Sequence, residues 1–354
     1  MAAEIDLLAD LVGTESVSGT EETIARRIEA LVRDAWGMQV VRDEASVTVT
    51  VNGAAPGPTL AFISHLDTVP AGEGWTRPPF AATIEGDRLY GRGSGDAKAS
   101  VAAMLAAARD CRTSGLARGR LLVILGYGEE TKHTTMGRAV EICGGVDAAI
   151  IGEPTNLQFA VAQRGLMMVN LIAHGDQRHA GYASAEAGFT NAAVALARDL
   201  VKLDALFASR PHPILGQPFV TPTMLEAGVS RNVTPPSAKA VLDVRSTPAW
   251  EHAELAAVMR AELQSEVEIT SDRLVPCETP EGSALLAVMQ RVRPDAVQYG
   301  SPTCSDWVFV RQRDAVKCGP GTSPRSHTPD EYVDLPEVSA ARAFYAQVAR
   351  EYLA

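Results

Sequence analysis

Two stretches decide the fold: Leu60-Ala61-Phe62-Ile63-Ser64-His65-Leu66-Asp67-Thr68-Val69-Pro70 and Gly91-Arg92-Gly93-Ser94-Gly95-Asp96-Ala97-Lys98. The first is a short apolar run that breaks into His-x-Asp, the pattern of a buried strand delivering an imidazole and a carboxylate at its C-terminal edge. Sites form at such edges in open α/β sheets. In an extended backbone residues i and i+2 share a face, so His65 and Asp67 point the same way. That suits a metal-ligand histidine whose other ring nitrogen is held by a carboxylate. The second stretch is a glycine-rich turn ending in Asp96, followed by the small-residue helical run Ala99 to Leu105. A turn that opens a helix can bind phosphate, but an aspartate at its mouth would repel one, and a cation is the better guest. Taken singly, His65, Asp67 and Asp96 would be caps of a strand and a helix.

Working outward, two more apolar runs end in acids. Arg120 to Gly128 leads into Glu129-Glu130, and Ala148 to Gly152 leads into Glu153-Pro154-Thr155. Helices are expected over 97–114 and 136–143 between them. Strands alternating with helices predict an α/β fold with a mostly parallel sheet and its site along one edge. Before this core, Ile5, Leu7, Leu8, Leu11 and then Ile24, Ile28, Leu31, Val32 have helical spacing, and Ser46 to Val51 alternates as a strand before an Asn52-Gly53 turn.

After Gly165 the texture changes. Strand-like runs at 166–175, 223–228, 238–245 and 265–270 enclose helices near 189–206 and 250–264, which predicts an inserted α+β, ferredoxin-like unit. The expected organisation is a catalytic domain over 1–165 and 274–354, interrupted by a lid and dimerisation domain over 166–273. The last part carries a helix over 284–291, a strand at 315–317 and a C-terminal helix over 336–352.

The chain has 354 residues, of which 46% are hydrophobic, and a formal charge of -11. Mean hydropathy is +0.00. It lacks the basic blocks that track a phosphate backbone, so nucleic acid is not an expected partner. No run approaches the roughly 20 apolar residues of a spanning helix, and the N-terminus lacks a basic, apolar leader; a cytoplasmic protein without a membrane partner is expected. The five cysteines are scattered with no C-x-x-C pair, so free thiols are expected rather than disulfides or a zinc knuckle.

His65, Asp96, Glu130, Glu153 and a late His327 make two imidazoles and three carboxylates. Five such ligands exceed one tetrahedral zinc with an open position and suit two metals with one bridging carboxylate, for which Asp96 is the natural candidate. Glu129, beside a ligand but spare, can take a proton from water there and pass it to a leaving amine.

His65-x-Asp67, Gly93-x-x-Asp96-x-Lys98, Gly128-Glu129-Glu130-Thr131, Gly152-Glu153-Pro154-Thr155 and His327 resemble, in order, the signature of the M20 family of co-catalytic zinc metallopeptidases and deacylases. The resemblance spans nearly the whole chain. It implies that His65 and Glu153 hold one metal, Glu130 and His327 the other, and that Asp96 bridges. Asp67 would orient His65, and Glu129 would be general base and acid. The implied cofactors are two divalent ions, zinc or cobalt. Gln177-Arg178-His179-Ala180 resembles the family's Gly-His segment, whose histidine reaches the partner's site, so His179 is expected to act in trans in a homodimer formed through the lid. Arg178 stands where glycine is usual.

Tyr299 to Asp306, Ala162 to Leu166 and Lys317 to His327 look most like the acetylornithine deacetylase branch. The implied substrate is a small N-acylated, ornithine-like amino acid, acetylated or succinylated, in arginine biosynthesis. Arg245 and Asn232 match positions that contact substrate, with Thr303 and Ser305 as further contacts; Arg245 would serve equally as half of a strand-edge ion pair. Other readings are a succinyl-diaminopimelate desuccinylase, a lysine-precursor deacylase, a dipeptidase, or a silent homologue that binds metal or peptide. His133, His174, His212 and His252 lack a motif and are expected to be structural or exposed.

Overall fold

The computed structural model describes residues 2–183 and 188–354. They form two compact units: Met1–Val161, Thr279–Tyr299 and Ser305–Ala354 make the first, and Ala162–Glu278 with Gly300–Cys304 the second.

In the first unit the strand Ala55–His65 lies at the centre of a sheet, parallel to Arg118–Gly126 on one side and to Ala148–Ile151 on the other. Asp314–Lys317 extends the parallel set beside Ala148–Ile151. Ser46–Asn52 and Gln39–Arg42 add an antiparallel edge next to Arg118–Gly126. The Asn52-Gly53 turn therefore does not make a hairpin, because Arg118–Gly126 runs between the two strands that flank it. Phe159–Gln163, a fully buried strand, continues the sheet beyond Asp314–Lys317.

Alternation sorts the side chains onto two faces. Leu60 and Phe62, with Leu121, Val123, Leu125 and Ile150, join a cluster with the helices Ala3–Val12, Ala99–Ser114 and Leu335–Tyr352. Ala61 and Ile63 on the opposite face are equally buried, as expected of a parallel sheet covered on both sides. Ala99–Ser114 is rich in alanine and buried around most of its circumference, which lets Leu335–Tyr352 pack close against it. A small sheet of Thr83–Glu85, Arg88–Tyr90 and Tyr332–Asp334 pairs Tyr332 with Tyr90 and so carries residues 327–331 to the Gly91–Asp96 turn.

The second unit is a four-stranded antiparallel sheet in the order Phe219–Ala227, Ser237–Ser246, Gly165–His174, Glu266–Leu274. That order is the ferredoxin-like one, with the first and third strands in the middle. Met167, Val169, Leu171, Ala240, Leu242 and Val244 pack with Leu196 of Ala192–Leu200 and with Leu255 and Met259 of His252–Glu262. Among the described residues no helix is long and apolar enough to cross a membrane.

Candidate functional site

Three parallel strands end at one place, and each ends in a ligand-bearing residue. His65 closes its strand, Glu130 follows Arg118–Gly126, and Glu153 follows Ala148–Ile151. Asp96 comes from the turn before Ala99–Ser114, and His327 from the segment before Tyr332–Asp334. His65 Nε2 lies 3.4 Å from Asp96 Oδ1 and 3.9 Å from Glu153 Oε1. His327 Nε2 lies 3.6 Å from Asp96 Oδ2 and 3.0 Å from Glu130. Asp96 thus turns one oxygen to each histidine, the arrangement a bridging carboxylate requires.

The donor set fits divalent cations. His65 Nε2 is buried with no hydrogen-bond partner among the described residues, and carboxylates surround it. Two triads, His65-Asp96-Glu153 and Asp96-Glu130-His327, each hold their ligand atoms within 4.8 Å of one another. Nitrogen and oxygen donors so placed suit zinc and its neighbours. Without a cation the charges frustrate one another. Burial and the nearby Asp96 push Glu153 up to about 8. Burial, with Glu153, Asp306 and Glu130 close by, holds Glu129 well above the carboxylate range, although His65 opposes the rise. Burial disfavours a charged His65, yet Asp67 and Asp96 raise it well above the ordinary imidazole value.

Asp67 does more than face His65. Its carboxylate stands 3.5 Å from His65 Nδ1, while its own backbone carbonyl lies closer, at 3.0 Å. The carboxylate oxygens accept from Ser18 Oγ at 2.7 Å and from the backbone N–H groups of Glu129 and Glu130 at 3.0 and 3.1 Å. Asp67 therefore fixes the loop that carries Glu129 and Glu130. Burial opposes its charge, but the His65 contact and these bonds hold it down at about 2.

The Asp96 turn has its own anchor, which the sequence did not single out. Glu331, 1% exposed, accepts from Arg92 Nη1 at 2.7 Å and from the N–H groups of Gly93, Gly95 and Asp96 at 3.1, 2.9 and 3.1 Å. Gly93 has φ +78, and a Cβ there would stand 2.5 Å from Thr68 Cγ2, so the turn requires glycine. His133 and Asp306 were also missed. His133 Nδ1 lies 3.6 Å from Glu129 Oε1 and 3.4 Å from Asp306 Oδ1, so this histidine stands between the two acids. Its spacing of four from Glu129 was the available signal.

The other expected contacts divide between the two units. His179, Asn232, Arg245 and Thr303 belong to the second unit and Ser305 to the first. His179 is exposed, and its Nδ1 accepts from Gly181 N–H at 3.1 Å. Asn232 is exposed and accepts from Ser230 Oγ. Arg245 forms a forked pair with Asp243 at 2.7 and 3.0 Å, the strand-edge alternative. Thr303 Oγ1 lies 3.1 Å from Ser301 Oγ, and buried Ser305 caps the short helix Asp306–Val310.

Known proteins share this architecture. A succinyl-diaminopimelate desuccinylase 2 of Ruegeria sp. (strain TM1040) is 29% identical, with 98% of this chain and 94% of that protein covered. An acetylornithine deacetylase of Yersinia pseudotuberculosis serotype O:1b (strain IP 31758) is 28% identical, covering 98% and 97%. The crystal structure of an M20 family metallo-carboxypeptidase from Sulfolobus solfataricus superposes with a TM-score of 0.80 over 100% of both chains at 19% identity. The Bacillus subtilis YXEP protein, a dinuclear metal binding peptidase, gives 0.74 at 17% identity, covering 99% of this chain and 97% of that one. Residues 61–351 match the family described as Peptidase family M20/M25/M40, and the chain is a metallohydrolase belonging to that family.

Proposed function

We propose that this protein hydrolyses the amide of a small N-acylated, ornithine-like amino acid, releasing acetate or succinate and the free amine. The carrying observation is Glu129: a carboxylate 8% exposed, next in sequence to a ligand and set against two triads that share Asp96. His65 and Glu153 would hold one ion, Glu130 and His327 the other, and Asp96 both. Two bound divalent ions, zinc or cobalt, would polarise the amide carbonyl and acidify water.

Glu129 takes a proton from the attacking water as its oxygen bonds to the carbonyl carbon. The raised affinity of Glu129 for a proton suits that task. When the carbon–nitrogen bond breaks, Glu129 gives the proton to the leaving amine. Asp67 keeps Glu129 and Glu130 in place through their backbone N–H groups. From the second unit, His179 would serve the partner subunit's site, and Asn232 and Arg245 would bind the substrate carboxylate. Arg245 would exchange Asp243 for it, so Arg245→Ala is expected to raise KM more than it lowers kcat. A homodimer fits the outer strand Phe219–Ala227, which leaves Met224 and Leu225 56% and 62% exposed on an open sheet edge. Arginine biosynthesis in the cytoplasm is the setting this reading implies.

The two relatives are nearly equal in identity, so desuccinylation of succinyl-diaminopimelate is the second reading. Amine release from N-acetylornithine, N-acetylcitrulline, N-succinylornithine and N-succinyl-diaminopimelate, before and after adding zinc or cobalt to chelated protein, separates them. Turnover of diaminopimelate alone overturns the ornithine reading. Turnover of none of the four, with metal bound, overturns both.

A further inference from the structure

Next to the two triads stands a third cluster of the same composition. Glu129, His133 and Asp306 bring one ligand atom each within 4.8 Å of the others. His133 Nδ1 is 3.6 Å from Glu129 Oε1 and 3.4 Å from Asp306 Oδ1. In the first two triads the corresponding distances run from 3.0 to 3.9 Å. Two donors on a tetrahedral ion, each at about 2.0–2.2 Å, stand about 3.3–3.6 Å apart. A charge-assisted hydrogen bond would instead draw its partners to about 2.7–2.9 Å. His133 Nδ1 and Asp306 Oδ1 make a long hydrogen bond at 3.4 Å, and the 3.4 and 3.6 Å spacings of the cluster also match ligands around an ion.

Burial supports the same conclusion. Glu129 and Asp306 are 8% and 3% exposed, two carboxylates enclosed with one imidazole. Glu129 receives no hydrogen bond among the described residues, and His133 is its sole ion-pair partner there. His133 adopts φ +43, a left-handed conformation uncommon outside glycine, where its ring meets both acids. The carboxylate of Glu129 thus faces a histidine and, across it, a second acid.

We propose that Glu129, His133 and Asp306 form a third divalent-cation site, weaker than the pair at the strand ends, whose filling ties up the carboxylate of Glu129. The site has three donors and no bridging ligand, so it fills after the other two. Its inhibitory effect rests on Glu129 being the base, whereas its existence does not. Excess zinc then acts as a brake on the enzyme that the first two equivalents activate.

Chelated full-length protein titrated with zinc by calorimetry, with bound zinc counted after dialysis, tests the site. Wild type is expected to take a third, weaker equivalent, which His133→Asn and Asp306→Asn both lose. Hydrolysis by wild type should then fall by about 10²-fold or more as the third equivalent binds, the size of a lost general base. His133→Asn, measured against its own two-equivalent rate, should escape that fall. A wild type that saturates at two equivalents, or a third equivalent that survives both substitutions, overturns the site. Loss of the third equivalent in the variants with no change in the zinc dependence of the rate keeps the site and overturns the role of Glu129. If no N-acyl amino acid is hydrolysed, the stoichiometry alone still decides the site.

Discussion

At Glu331 a single buried carboxylate answers four donors, three of them backbone N–H groups of the turn that presents Asp96. Glu331→Gln would put an amide NH2 against N–H donors and leave Arg92, 2% exposed, without its counter-charge. Breaking a buried pair in this way costs about 3–5 kcal/mol. Urea unfolding of the metal-free variant should show that loss. A change under about 1 kcal/mol, the scale of an exposed pair, would mean the turn holds itself. Asp67 lends itself to a pH test. Its folded value of about 2 lies below the ordinary 3.8, so its charge stabilises the metal-free protein above pH 3.8, and that contribution disappears as pH falls toward 2. The difference in unfolding free energy between wild type and Asp67→Asn should shrink by about 2 kcal/mol over that window. A constant difference from pH 5 to pH 2 would contradict the account.

Among elements, the strand ends govern the geometry, and they are crowded. A Cβ on Gly319 would meet Ser100 Oγ and come to 2.6 Å from the carbonyl oxygen of Glu153. Gly319→Ala should therefore push back the end of the Glu153 strand, costing about 1–3 kcal/mol and weakening metal binding together. Loss of stability with unaltered metal affinity would show that Glu153 is held by other contacts. The strands themselves were legible because an apolar run that stops in a histidine or acid is a strong local pattern: His65, Glu130 and Glu153 all sit where that pattern put them. Pairing was less legible. Nothing near Asn52-Gly53 tells that Arg118–Gly126 slides between the strands on either side, since sheet neighbours are chosen by the whole core. Glu331 was hidden for a similar reason, its partners being backbone groups far along the chain. The fork of Arg245 onto Asp243 follows from their shared face two residues apart, a reading the sequence left open beside the substrate one.

For the molecule as a whole, the centre is a charge problem that a cation solves. Three carboxylates, Asp96, Glu130 and Glu153, meet two imidazoles at the sheet edge, and burial pushes Glu153 up to about 8. A group whose folded value exceeds its ordinary 4.5 stabilises the fold where it is protonated in both states, and that advantage is lost as pH rises through the folded value. Metal-free protein should therefore lose stability between pH 5 and pH 8. Metal ligands must be deprotonated, so loading releases protons and removes the loss. At pH 7 zinc binding should release protons from Glu153 and from His65 and His327, whose values are also raised. Calorimetry in buffers of different ionisation enthalpy counts them, and the count should fall once the pH passes about 8 as Glu153 arrives ionised. Zinc at 100 times its dissociation constant should also add about 2.7 kcal/mol to the unfolding free energy. Proton release that stays constant from pH 6 to pH 9, or a metal-free protein as stable at pH 8 as at pH 5, would place the ions away from Glu153 and break the shared-ligand picture at its root.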